Sequence, residues 1–228
     1  MNDAQANLDR FNAMAAEWDD NPMRAGIARA VAAAIADTLP LRTDMRALEY
    51  GCGTGLVSVL LANRLGHIVA ADIAPAMLAV LDDKCRQAGL PHIETRRLDL
   101  TVDPQPAERF DLIFSSMTLH HIEDTAAVLR TLAGLLKPGG WLALADLDTE
   151  DGSFHGGPIP GVFHAGFERA WLMERLRAAG LTDIAACTAH TVHRAGPDGD
   201  AEYPIFLISA RRPAANGAGA SNARGRPG

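Results

Sequence analysis

The 228 residues, 48% apolar and 21% charged, suit one well-buried soluble core and do not call for a second folding unit. A formal net charge of -7 at pH 7 weighs against electrostatic capture of nucleic acid and favours small-molecule partners. No apolar run reaches the roughly eighteen residues of a membrane span. The start Met1–Asn2–Asp3–Ala4–Gln5 lacks a signal peptide's basic and apolar regions. A cytoplasmic chain is expected, with Cys52, Cys85 and Cys187 as reduced thiols that lack metal-site spacing.

In chain order, Leu8, Phe11, Ala15 and Trp18 recur at helical spacing. Asn21–Pro22 then reads as an N-cap with proline at the first helical position. The helix that follows places Ile27, Val31, Ile35 and Leu39 on one face and stops before Pro40. Ala47–Tyr50 is a short buried strand, running into Gly51–Cys52–Gly53–Thr54–Gly55 and a helix from Leu56 to about Leu65. His67–Ile73 is a second strand, with Asp72 near its end. A helix over 76–88 is capped by Gly89. Strands follow at 92–98 and 110–115, then a helix over 124–136, a tight turn at Lys137–Pro138–Gly139–Gly140 and a strand over 141–147. A helix over 167–179 and two strands, about 184–192 and 203–210, complete the pattern. From Pro213 onward no apolar face remains, and a disordered tail is expected.

Three glycines at alternate positions lower local stability, so they make sense where the backbone must turn sharply against a ligand. A strand, a glycine turn, a helix and a second strand ending in an acid form a nucleoside-binding βαβ unit. The dinucleotide fingerprint Gly-x-Gly-x-x-Gly fails because Leu56 stands at its last position. A phosphate-binding P-loop fails because no Gly-Lys-Ser/Thr follows. What stands here is Glu49-x-Gly51-x-Gly53-x-Gly55, which resembles the first motif of class I S-adenosylmethionine-dependent methyltransferases. Phe110–Ser115 and Leu136–Gly140 are also similar to that family, and the likeness is good from about 47 to 148. Phe11 through Trp18 and Leu119–His120–His121 are similar to its ubiquinone/menaquinone-biosynthesis type.

The resemblance implies an α/β fold: one Rossmann-like, doubly wound domain whose seven-stranded, mostly parallel sheet has the order 3-2-1-4-5-7-6 and its last strand antiparallel. Residues 1–40 would cover the cofactor site, 41–212 form the methyltransferase domain, and 213–228 the tail. S-adenosylmethionine is the implied cofactor and a small molecule the methyl acceptor. Gly51, Cys52, Gly53 and Gly55 would receive its methionine part, and Glu49 its ammonium group. Asp72 would accept from both ribose hydroxyls, Ile73 and Met77 would pack on ribose and adenine, and Asp99 would accept from the adenine amino group beside Leu100. Ser115, at the end of the fourth strand, joins this set. Trp18 packs either in the core or against the sulfonium, core packing being the first expectation.

His155 and His164 lie in a long connection after the fifth strand, where a lid is expected, and are the candidate bases with His120. Packing at a strand–helix junction is an equal reading of His120, and plain solvation is the ordinary reading of the other two. The acids Asp146, Asp148, Glu150 and Asp151 raise a metal question, but an EF-hand would need Gly at 151 and Glu at 157, and no metal is expected. Two other readings stand beside the enzyme: a non-catalytic cofactor-binding partner protein, and a nicotinamide-dependent oxidoreductase, which Leu56 and the lack of a Tyr-x-x-x-Lys pair disfavour.

Overall fold

The computed structural model describes residues 3–196 and 199–215. Of the expected tail, residues 216–228 lie outside the described residues, and 213–215 form neither helix nor strand.

Runs of apolar residues too continuous for a half-exposed sheet form its central strands, and helices cover both faces. The strands are β1 (Arg46–Tyr50), β2 (His67–Asp72), β3 (Ile93–Arg97), β4 (Phe110–Ser116), β5 (Leu136–Leu147), β6 (Thr182–Gly196) and β7 (Gly199–Arg211). They make one sheet of order β3-β2-β1-β4-β5-β7-β6, as expected. β1 to β5 pair in parallel, and β7 runs antiparallel to both β5 and β6.

Alternation along the strands divides the core. Ala47, Ile68, Ala70, Leu112 and Phe114 face α2 (Pro22–Thr38) and α3 (Leu56–Leu61), sharing that core with α4 (Pro75–Ala88). Leu48, Val69, Ala71 and Ile113 face the other way, toward α5 (Thr125–Leu135) and α6 (Arg169–Ala178). Each fully buried leucine or isoleucine contributes about 1.5–3 kcal/mol, so a one-residue register slip would expose a whole layer.

Helix ends follow local chemistry. The Asn21 side chain accepts from the backbone N–H groups of Met23 and Arg24, and Pro22 occupies the first turn. Gly89, at φ 65°, closes α4. Asp124 accepts from the Ala127 N–H to start α5.

Three elements differ from the sequence expectation. The turn at Lys137–Gly140 lies inside β5, because the Gly139 N–H donates to the Arg212 carbonyl and the Arg212 N–H to the Gly140 carbonyl. α6 begins at Arg169 rather than Phe167, whose backbone is taken by a bridge to Asp148 and a bond to the Leu147 carbonyl. The terminal hairpin is longer than expected, since β6 and β7 go on pairing with each other past the end of β5 at Leu147↔Ile205.

α1 (Asp3–Met14) and a 3-10 segment, Ala15–Asp20, do not join either main core. Leu8, Phe11, Ala15 and Trp18 pack instead on Ala74 and Met77, at the start of α4. Polar contacts tie this arm down, beginning with Asn12 Oδ1, which accepts from the Ala76 N–H at 3.1 Å. Asp19 accepts from Thr54 Oγ1 at 2.5 Å and from Lys84 Nζ at 2.6 Å.

Candidate active site

A cavity of about 810 Å³ opens at the carboxyl ends of β1, β2 and β4, within the size range of small-molecule sites. Its floor is the glycine turn, where Gly51, Gly53 and Gly55 all have φ between 53° and 74°. They serve different ends. A Cβ on Gly51 would stand 2.2 Å from Thr118, and one on Gly55 2.3 Å from Leu81. Gly55 thus lets α4 approach and, contrary to expectation, does not line the cavity. A Cβ on Gly53 would meet nothing nearer than Trp18 Nε1 at 4.0 Å, so this residue leaves backbone open to a ligand.

Asp72 braces the floor. Its Oδ2 accepts from the Gly53 N–H at 2.7 Å and its Oδ1 from the Ala74 N–H at 2.8 Å. Burial holds its pKa above the ordinary value despite these bonds. A carboxylate has about four acceptor positions, so two remain for a diol. Ile73, Met77, Leu98, Asp99 and Leu100 line the same end. Asp99 Oδ1 accepts from the N–H and Oγ1 of Thr101, fixing the turn that carries it.

Glu49 lies under the turn rather than standing free toward an ammonium group. Its Oε2 accepts from both the Ser58 N–H and Ser58 Oγ. Burial pushes its pKa up to about 8. Cys52 is buried, and burial, then Asp72 and Glu49, raise its thiol well above the usual value, which suits a filler and not a nucleophile. Ser115 departs from expectation: its Oγ donates to the Tyr50 carbonyl at 2.7 Å, tying β4 to β1, and Ser116 lines the cavity instead. Trp18 is half-buried and lines the cavity, with the Arg24 guanidinium 3.7 Å from its ring centre.

The other end is built from histidines. His120 follows β4 in the short 3-10 turn Leu119–His121 and lines the cavity, though only 1% exposed. Its Nδ1 lies 2.6 Å from Asp146 Oδ1, at the end of β5. The same carboxylate accepts from the backbone N–H groups of Leu147 and His120. An acceptor so fixed keeps the proton on Nδ1 and leaves Nε2 as the basic nitrogen. His121 Nδ1 donates to the Gly161 carbonyl, and burial with His120 nearby lowers its pKa well below normal. His155 joins them, its ring centre 5.1 Å from that of His120. Burial first, then His120 and Arg10, lower its pKa to about 4.

His164, expected as a base, faces away. Its Nε2 lies 2.9 Å from the Ile122 carbonyl and 3.2 Å from Thr125 Oγ1, and it does not line this cavity. It fastens the post-β5 connection to the start of α5. The four acids of the metal question are likewise spent separately. Asp146 holds His120, Asp148 pairs with Arg169 through two bonds, Glu150 accepts from the Phe154 N–H and Asp151 from the Ser153 N–H. Asp146 in its role beside His120, His121, and the arginines Arg10, Arg24 and Arg194 were not singled out from sequence.

A seven-stranded doubly wound sheet with β7 reversed, a glycine turn at β1 and acids at the ends of β2 and β3 defines the class I methyltransferase fold. Residues 48–144 match the family described as a methyltransferase domain. It is 32% identical over 156 residues to an uncharacterized methyltransferase of Schizosaccharomyces pombe, covering 62% of this chain and 55% of that one. It is 30% identical over 163 residues to a ubiquinone biosynthesis O-methyltransferase of Marinobacter nauticus, covering 66% and 65%. The chain therefore spans less than two thirds of either relative. Among solved structures, DhpI with SAH aligns at a TM-score of 0.70 and 23% identity, over 93% of this chain and 98% of that one. A putative methyltransferase of Haloferax volcanii, solved with the Trm112 activator, aligns at 0.72 and 18%, over 89% and 97%. No helix among the described residues is long and apolar enough to cross a membrane.

Proposed function

We propose that this protein methylates a small molecule at a group that must lose a proton, using S-adenosylmethionine as donor and His120, held by Asp146, as base. The observation that carries this reading is the dyad's position. His120 lines the same cavity as the glycine turn and Asp72, with Asp146 buried behind it, so a nucleoside-bearing donor and a general base share one space.

The residues present fit the donor. Asp72 has acceptor capacity for the ribose diol, Gly53 leaves backbone exposed, and Ile73, Met77, Leu98 and Leu100 offer apolar walls for adenine beside Asp99. Arg24, beside Trp18 and the glycine turn, suits the donor's carboxylate. When bound, the donor supplies an electrophilic methyl group and leaves as S-adenosylhomocysteine. His120 Nε2 takes the acceptor's proton, and Asp146 stabilises the imidazolium that forms. Residues 3–20 form the cover over the site while α2 packs in the domain core, with Phe11 and the connection after β5 excluding water above the dyad. A cytoplasmic location belongs to the same reading.

The test is release of S-adenosylhomocysteine from a panel of phenols, quinols, thiols and carbon acids. Turnover that survives unchanged in His120→Ala and Asp146→Asn would defeat the assigned base. Binding of S-adenosylhomocysteine without turnover on any acceptor would favour the partner-protein reading.

A further inference from the structure

The wall beside the dyad carries charge that the proposed reaction does not use. Three arginines line the cavity: Arg10 from α1, Arg24 from α2 and Arg194 from β6. Every other arginine ion pair involves residues elsewhere, and none of these three has a carboxylate within 4.0 Å among the described residues. Arg24 belongs to the glycine-turn end, through Trp18. Arg10 and Arg194 belong to the other end: Phe11, beside Arg10, lies 5.2 Å from the His121 ring centre, and Phe154, beside Arg194, lies 5.0 Å from that of His155.

Both guanidinium groups are held by neutral partners only. Arg10 Nη2 donates to Asn7 Oδ1 at 2.7 Å, and the group lies 5.1 Å from the Phe11 ring centre. Arg194 donates to the Phe154 carbonyl and lies 4.9 Å from the Phe154 ring centre. Such contacts fix a planar donor fork and leave its charge uncompensated. His155, beside Phe154 on the same cavity wall, has its Nε2 buried with no hydrogen-bond partner among the described residues. A buried polar atom without a partner is costly, as is a half-buried charge without a counter-charge. The acids that also line the cavity do not answer them. Asp72 and Asp99 are engaged at the cofactor end, Glu49 by Ser58, and Asp124 caps α5 beside the exposed Glu123.

Resting on the methyltransferase reading, we infer that the methyl acceptor carries an ionised oxyanion, a carboxylate or a phosphate, bound by Arg10 and Arg194 with His155 Nε2 as a further polar contact. The rings of Phe11, Phe154 and Phe163 that share this end suit a flat, apolar body attached to the anion. The base then removes a proton from the end of the acceptor nearer the glycine turn, and the anion sets which end that is.

The experiment measures calorimetric binding to the full chain saturated with S-adenosylhomocysteine. Three anionic probes are each set beside a neutral counterpart: 4-hydroxybenzoate with its methyl ester, 4-hydroxyphenylacetate with its amide, and 4-hydroxyphenyl phosphate with 4-methoxyphenol. At least one anion binds about tenfold or more tighter than its counterpart, as charge-assisted bonds to arginine require. Whether the carboxylate pairs or the phosphate pair shows it distinguishes the two groups. Arg10→Gln and Arg194→Gln each reduce the preference and together remove it, while affinity for S-adenosylhomocysteine is unchanged. Equal binding within every pair, no response to any anion, or a preference that survives in the double variant overturns the inference while leaving the methyltransferase reading intact. Failure to bind S-adenosylhomocysteine overturns both.

Discussion

The two ends of the cavity are built on opposite principles. The cofactor end comes largely from one stretch of chain, 49–77, in which backbone amides and a strand-end acid fix each other: Asp72 on Gly53, Glu49 on Ser58. The acceptor end is assembled from α1, the turn after β4, the end of β5, the connection behind it and β6, which meet only in the folded state. One end is nearly complete as a local motif. The other exists only as tertiary structure, and that is where one member of a common fold can differ from the next.

The largest expected effect tests the acceptor end alone. His120→Ala lowers kcat by about 10²–10⁴-fold with no change in S-adenosylhomocysteine affinity, measured by initial rates and calorimetry. Asp146→Asn gives a smaller loss and alters the acidic limb of the pH–rate profile, because the amide no longer enforces the Nδ1–H tautomer. Equal losses of cofactor affinity would mean that the two ends are one cooperative unit.

The next effect tests the cofactor end. Asp72→Ala weakens cofactor binding by about 1.5–3 kcal/mol, the range for hydrogen bonds to a charged group. Because Asp72 also braces Gly53 and Ala74, the ligand-free variant melts at a lower temperature as well. Asp72→Asn, which retains one acceptor oxygen, recovers part of both.

A third expectation follows from protons. Glu49, raised to about 8 in the folded chain, holds a proton that the unfolded chain releases near 4.5. Its contribution to stability is full below 4.5 and declines as pH rises to 8, by at most about 1.4 kcal/mol per pH unit. His155, lowered to about 4, acts with the opposite sign: its contribution is present above 6.5 and lost as pH falls toward 4. Glu49→Gln removes the decline between 4.5 and 8, and His155→Asn the loss between 6.5 and 4, read from denaturant midpoints across pH. The floor thus favours acid and the histidine end favours base.

The smallest effect concerns the arm over the site. Asp19→Ala removes the bonds from Thr54 and Lys84, which are about a third exposed at Asp19 and Lys84, and costs under about 1 kcal/mol. For a chain of this size that is at most roughly 2–4 °C in Tm. The sharper readout is faster proteolytic cleavage between α1 and α2.

The same division explains what the sequence disclosed. Gly51, Gly53, Asp72, Ile73, Met77, Asp99 and Leu100 could be placed at the cavity wall because glycine conformation and strand-end position are local properties, whereas Glu49 turns to Ser58, and the sheet order came from the family resemblance. The His120–Asp146 pair could not, because the two residues are twenty-six positions apart and meet only through the β4–β5 register. His155 and His164 shared one loop and one residue type, yet one ring turned into the cavity and the other onto the Ile122 carbonyl. Ser115 and Ser116 differ by a single position, and strand alternation alone sends Ser115 to the Tyr50 carbonyl. Arg194 carried no local signal at all.

The hairpin that bears Arg194 acts as a ruler. β6 and β7 continue as a two-stranded ribbon past Leu147, the last β5 residue paired with β7, and Arg194 stands opposite Ala201 on that projecting part. Each residue advances a strand by about 3.3 Å, and a change of two per arm preserves which face a side chain occupies. Removing or adding two residues per arm below Arg194 therefore slides its charge by about 7 Å along the acceptor end, with no alteration to the glycine turn. Where Arg194 holds the acceptor's anion, as inferred above, hairpin length selects acceptor length separately from the methyl donor's site.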